Sequence, residues 1–255
     1  MSRTAFHEIQ KFAVYYGPKN VMALGNYDCV IIEPSRFSDE DILRLKDRGT
    51  LVIGYVTVME IGPIHKEQWA ALREEDFLHR DGKRIEKADY NTFLLDLNSA
   101  RWRSLLHQEV GRMLTQRGFD GIFLDTIGDV EDYGLPDSVS QIEAASDIVA
   151  GLRRWFPDAI IMQNNGLEAL CLHTATYLDA ITWENPPVSE KMSRAWVRLI
   201  AERLDALART HGVTIMTLYD RSEVLPRKEW ILRRRFADEH GYLSYFAPTH
   251  YLSLL

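Results

Sequence analysis

Apolar residues in this chain come mainly in short unbroken runs rather than in alternation. They stand at 12–17 ("FAVYYG"), 29–33 ("CVIIE"), 51–58 ("LVIGYVTV"), 121–124 ("GIFL"), 160–163, 180–183 ("AITW"), 213–218 and 242–246 ("YLSYF"). Runs of this length without a polar alternate suit strands buried on both faces, the signature of a parallel sheet. Between them lie segments with helical spacing and helix punctuation. Ser38 reads as an N-cap with Asp39, Glu40 and Asp41 in the first turn, where acids suit the helix dipole, and the helix ends in "KDRG". Ser99 caps a second helix that runs to Gln116. Further helices are expected over 138–155, briefly after Gly166, over 189–210, and over 226–239 behind Pro226.

Four helices hand over to a strand through glycine, at Gly49, Gly118, Gly212 and Gly241, as expected where a helix ends in a left-handed residue. Alternating strands and helices imply parallel strands with right-handed crossovers. Eight strands predict a single (β/α)8 barrel over 1–255, provided "FLLDL" at 93–97 belongs to the long connection after strand three. That connection also holds Trp69 on a short helix and a turn at 81–84, "DGKR". Counted as a ninth strand, "FLLDL" would allow an open doubly wound sheet instead.

Composition changes this picture little. A length of 255 residues suits one barrel of roughly 250 residues, and 46% apolar residues supply its core. Cys29 and Cys171 form no disulfide framework and read as two small buried hydrophobes. The N-terminus shows no apolar signal core, so the chain is expected to be cytoplasmic, or secreted if a signal has been removed. No stretch approaches a membrane span, and a net charge of −7 without a basic aromatic patch makes nucleic acid an unexpected partner. No Walker A loop, GxGxxG, HExxH or G-x-S-x-G is present, so no cofactor or metal is expected. Asp129, Glu131 and Asp132 lack calcium-loop spacing and read as a solvated loop.

In a (β/α)8 barrel the carboxyl ends of the strands carry the chemistry. Here those ends present Tyr16, Glu33, Tyr55 with Glu60, Asp125, Asn164 with Asn165, Glu184, Tyr219 with Asp220, and Tyr245; Asp96 lies on the strand-like piece before strand four. A carboxylate that directly ends a buried strand cannot fill a core, because burying an unpaired charge is too costly. Asp125 and Glu184, two strands apart, therefore form the leading catalytic pair, as glycoside hydrolysis needs two carboxylates flanking one bond. Glu33, Glu60 and Asp96 would add negative charge around it, and Glu33 and Glu60 could equally pair with a nearby base. Tyr16, Tyr55, Trp183, Tyr219 and Tyr245 could stack on sugar rings or fill the core. Asn165, with Asn164 and Gly166, reads first as a turn and second as a source of amide donors.

These residues together resemble a known family. "FAVYYG", "DCVIIEP", "LKDRGTLVIGYVTVMEIG", "LLDLNSARW", "GFDGIFLDT" and "ITWENP" are similar to the successive motifs of endo-α-1,4-polygalactosaminidases and their barrel relatives. The resemblance implies a metal-independent barrel hydrolysing α-linked galactosamine polymers. It implies a strand-four nucleophile at Asp125 and a strand-six acid/base at Glu184; the strand-two acidic position, often aspartate, is Glu33. The rival readings are a carbohydrate-binding barrel without catalysis, and a barrel enzyme for a small phosphorylated substrate. The second of these would need a glycine-rich cradle after strands seven and eight, where the chain has "LYDRSEVLP" and "YFAPTHYL".

Overall fold

The eight apolar runs pair side by side, in chain order. A computed structural model describes residues 2–132, 134–188, 194–221 and 225–254. In it β1 (Phe12–Tyr15), β2 (Cys29–Ile32), β3 (Leu51–Thr57), β4 (Gly121–Asp125), β5 (Ile160–Asn164), β6 (Ala180–Glu184), β7 (Thr214–Asp220) and β8 (Leu243–Ala247) form one parallel sheet. The last seam, between β8 and β1, is closed by side chains, with the Phe12 and Tyr245 rings 5.9 Å apart. One backbone bond from the Tyr16 N–H to the Tyr251 carbonyl, 2.7 Å, joins the two sides just above it. The result is a (β/α)8 barrel whose strands are buried along nearly their whole length.

The surrounding helices are α1 (Asp39–Asp47), α2 (Ala100–Gly111, carried on by a π turn at Arg112–Gln116), α3 (Ser138–Trp155), α4 (Leu170–Thr174), α5 (Arg194–His211) and α6 (Arg227–His240). Ser38 caps α1 in a full capping box with Asp41, and Ser99 caps α2. The expected start of α5, at 189–193, lies outside the described residues. The crossover from β1 to β2 carries only the single turn Val21–Leu24, which the sequence pattern did not announce. All four handover glycines stand in the left-handed region, with φ between 68° and 84°. Both cysteines are free and buried.

"FLLDL" belongs to the excursion after β3. Its Thr92–Leu94 strand pairs antiparallel with Glu60–Ile61 on one side and Glu86–Lys87 on the other. Asp81 and Gly82, both at positive φ, turn a second small hairpin, so "DGKR" is half turn and half strand. Trp69, Phe77 and Phe93 pack edge to face beneath it, with the Arg84 guanidinium 3.9 Å from the Phe77 ring. The excursion is thus a folded lobe beside the barrel mouth.

Acids mark both ends of the barrel, with different consequences. At the bottom, Asp28, Asp120 and Asp179 precede β2, β4 and β6; Asp120 and Asp179 each accept a backbone N–H from a neighbouring strand, and Asp28 accepts that of Lys11, just before β1. Asp179 is further held by Arg3 and Arg153. These carboxylates are fully engaged in tying strand starts together. At the top, Asp125 and Glu184 end β4 and β6.

Candidate active site

Asp125 and Glu184 close β4 and β6, and Asn164 closes the strand between them. Asn164 is 3% exposed, and its Nδ2 donates to Asp125 Oδ1 at 2.7 Å and to Glu184 Oε2 at 3.0 Å. One amide nitrogen thus joins both carboxylates. Asp125 Oδ1 and Glu184 Oε2 can be no further apart than those two bonds laid end to end.

Both acids are held above the ordinary carboxylate range. For Asp125 the main cause is burial, to which the charge of Glu60 adds, while bonds from Asn164, Tyr55 and the Thr126 backbone oppose it. For Glu184 burial again leads, followed by the charge of Asp125; bonds from Asn164 and Tyr251 oppose it. The Asp125 charge therefore favours the protonated form of Glu184.

Two tyrosines predicted from the strand ends stand over this pair. Tyr55 hydrogen-bonds Asp125, and its phenol is raised by burial and by that carboxylate. It points inward because the preceding residue, Gly54, turns to the helix layer, where a Cβ would meet Met113 Sδ at 2.8 Å. The Tyr16 ring packs edge-on to Tyr55, with centroids 5.1 Å apart. Glu60 is buried on the neighbouring lobe, where it accepts from the Thr92 hydroxyl at 2.5 Å and shares a hydrogen bond with Asp129. Glu33 caps the short turn after β2 through Ser35, and its charge still reaches Tyr55.

Other expectations are corrected. Trp183 is 2% exposed and packs edge-on against Trp196 and Phe236 in the helix layer, because side chains alternate along a strand and Glu184 takes the inner side. Tyr219 also faces outward, stacked on Phe246 with its hydroxyl on the Arg233 carbonyl. Tyr245 does point into the barrel, but low down, between Phe12 and Tyr27. Asp96 binds Asn98 and Gln141 beside α3, away from the mouth. Asn165 is the turn residue it resembled, at φ 55°, and its Oδ1 accepts the Glu184 N–H at 3.0 Å, fixing the backbone beneath that acid.

The loop after β4 is no solvated loop. Glu131 caps α4 by accepting from the backbone of Glu168, Ala169 and Leu170. Asp129 and Asp132 hold Lys87 from the lobe, and Asp129 is raised by burial. A cleft with Asp129, Asp132, Glu168 and Trp196 along its walls leads to Glu184. Trp196, 38% exposed and bonded to Glu168 through its indole N–H, supplies the open ring there that had been expected of Trp183. Three participants escaped the sequence reading: Asn164 as a bridge, Trp196, and Tyr251, whose hydroxyl donates to Glu184 Oε1 at 2.7 Å. Strand parity alone pairs Asn164 with the inward Met162; nothing in the sequence pairs residue 251 with residue 184.

Several solved structures share this fold. The glycoside hydrolase domain of PelA from Pseudomonas aeruginosa is 20% identical, with a TM-score of 0.72 over 97% of each chain. Ega3 from Aspergillus fumigatus, in complex with galactosamine, is 12% identical with a TM-score of 0.70, over 95% of this chain and 91% of that one. An α-galactosidase from Thermus thermophilus, in complex with stachyose, is 14% identical with a TM-score of 0.62, over 96% of this chain and 62% of that one. No curated protein matches by sequence. The model of glycoside-hydrolase family GH114 matches residues 4–185, which takes in six of the barrel strands and both carboxylates. With the barrel and the paired acids at its mouth, that match shows that the chain belongs to glycoside-hydrolase family GH114.

Proposed function

We propose that the protein hydrolyses an α-linked, galactosamine-type amino-sugar polymer, with Asp125 as nucleophile and Glu184 as acid/base. The observation that carries this reading is the amide of Asn164 spanning the two carboxylates. It supports a separation suited to retention: Asp125 attacks the anomeric carbon while Glu184 protonates the leaving oxygen, and Glu184 then takes a proton from the water that releases the sugar. The Asp125 charge, which favours a proton on Glu184, supports the same roles, since one acid must attack ionised while the other holds a proton.

The choice of substrate draws on the surroundings. Asp129, Asp132 and Glu168 line the approach with carboxyl groups, and Lys87 is held by the first two. Such a cleft favours a protonated amine over a neutral N-acetyl group. Ega3, of the same fold, is described in complex with galactosamine. Trp196 offers a ring face for a sugar along the cleft.

The test is to incubate the protein with deacetylated and fully acetylated α-1,4-linked galactosamine polymers and to count new reducing ends. Faster release from the deacetylated polymer is expected. Equal or better turnover of the acetylated one would refute the amine preference, and binding without any new reducing ends would favour a binding barrel.

A further inference from the structure

The segment that follows β8 lies beyond the residues matched to the family, yet it enters the site. His250 and Tyr251 both take left-handed backbone conformations, φ 40° and 58°, which residues with side chains seldom adopt. Neighbouring elements hold them there. The His250 N–H donates to Asp220 Oδ1 at 3.0 Å, and its Nδ1 sits 2.8 Å from Asp220 Oδ2. The Tyr251 carbonyl accepts the Tyr16 N–H. Gly17 makes room for the segment, as a Cβ there would meet the Leu252 carbonyl oxygen at 2.2 Å. Backbone strain kept at a functional site by surrounding bonds is a mark of a positioned group. Here the positioned group is the Tyr251 phenol, 8% exposed, against the Tyr16 ring and on Glu184.

The two oxygens of Glu184 have unlike partners. Oε2 faces Asn164 Nδ2, which can only donate. Oε1 faces a hydroxyl, which can donate or accept. A proton on Glu184 therefore belongs on Oε1. We propose that Tyr251 is a positioning residue for Glu184, donating to Oε1 when the carboxylate is ionised and accepting from it when the acid is protonated. This rests on the acid/base reading of Glu184 given above. No bond beyond the proton transfer is made or broken: Glu184 releases its proton to the leaving oxygen, and the hydroxyl turns its hydrogen toward the new carboxylate.

The other charges facing Glu184 are Asp125 from β4 and Asp220 from β7, and both favour the protonated form. The Tyr251 bond favours the ionised form. Tyr251 itself is held above its ordinary range by burial and by the Glu184 charge, so it keeps its hydrogen. His250, beside it, is engaged by Asp220.

The experiment is Tyr251→Phe in the full chain, which removes one oxygen and keeps the ring. Infrared difference titration of the Glu184 carboxyl, which needs no substrate, should show its pKa raised relative to wild type. The alkaline limb of kcat/KM should move to higher pH. With KM nearly unchanged, kcat should fall about tenfold, the scale of one hydrogen bond to a charged group, and less on aryl glycosides with good leaving groups. His250→Ala, which loosens the same segment, should give a smaller shift in the same direction. An unmoved Glu184 titration in Tyr251→Phe would overturn the proposal, whatever the activity. A titration shifted in Tyr251→Phe, beside a wild-type protein that cleaves no galactosaminide, would uphold the role of Tyr251 and count against the hydrolase reading alone.

Discussion

An amide that donates one nitrogen to two carboxylates stabilises charge on either but cannot cancel their repulsion. Burial lifts both acids, and the Asp125 charge lifts Glu184 further. Activity should then follow a bell in pH: the acid limb reports ionisation of Asp125, the alkaline limb loss of the Glu184 proton. Both limbs should lie above the ordinary carboxylate range. Glu184→Gln removes the proposed proton donor but keeps the shape. It should slow polymer cleavage by about 10²–10⁴, the usual worth of general acid–base catalysis, and flatten the alkaline limb. Aryl substrates whose leaving group needs no protonation should suffer least, and azide should restore part of their turnover. A polymer rate near wild type, with the alkaline limb intact, would show that another group supplies the proton.

The strand ends hold one another through side chains. Thr126, at φ 59°, directly follows Asp125, and its Oγ1 accepts from the N–H groups of Val58, Met59 and Glu60 at 3.1, 2.9 and 3.2 Å. This hydroxyl anchors the root of the lobe to β4 and sets Glu60 beside Asp125. The Val58 N–H also reaches the Asp125 carbonyl, so Thr126→Val strips this acceptor from the Met59 and Glu60 N–H groups and should cost about 1–3 kcal/mol, read as a lower midpoint in urea. Thr126→Ser keeps the oxygen and eases the left-handed strain, so it should match or exceed wild type. Equal midpoints for Val and wild type would show that the hydroxyl does not anchor the lobe. Much of this was legible: the unbroken runs gave the strands, and a carboxylate ending a run gave Asp125 and Glu184. What misled was counting each residue near a strand end as facing the mouth. Trp183 and Tyr219 fall on the outer side of their strands by the parity that Glu184 fixes, although Trp183 still lines the cleft beside Trp196.

The barrel brings together what the sequence keeps far apart. Its closing seam places Tyr251 on Glu184 across 67 positions, and its lobe places Lys87 among the acids of the β4 loop. Contacts of this range have no local signal, so no pattern or motif could announce them, whereas the alternation of strands and helices could be read from local pattern and punctuation. Among the described residues no helix is long and apolar enough to cross a membrane. The net charge of −7 agrees in sign with an acidic cleft. The account stands on Asp125 as the attacking group. Its most direct test is the rate of reducing-end release from deacetylated α-1,4-galactosamine polymer by Asp125→Asn, beside wild type, with matching circular dichroism and melting temperature. The substitution should lower kcat by about 10⁴-fold or more, the scale of losing a nucleophile, in a protein that folds and still binds the polymer. A folded Asp125→Asn variant that keeps near-wild-type turnover would contradict it.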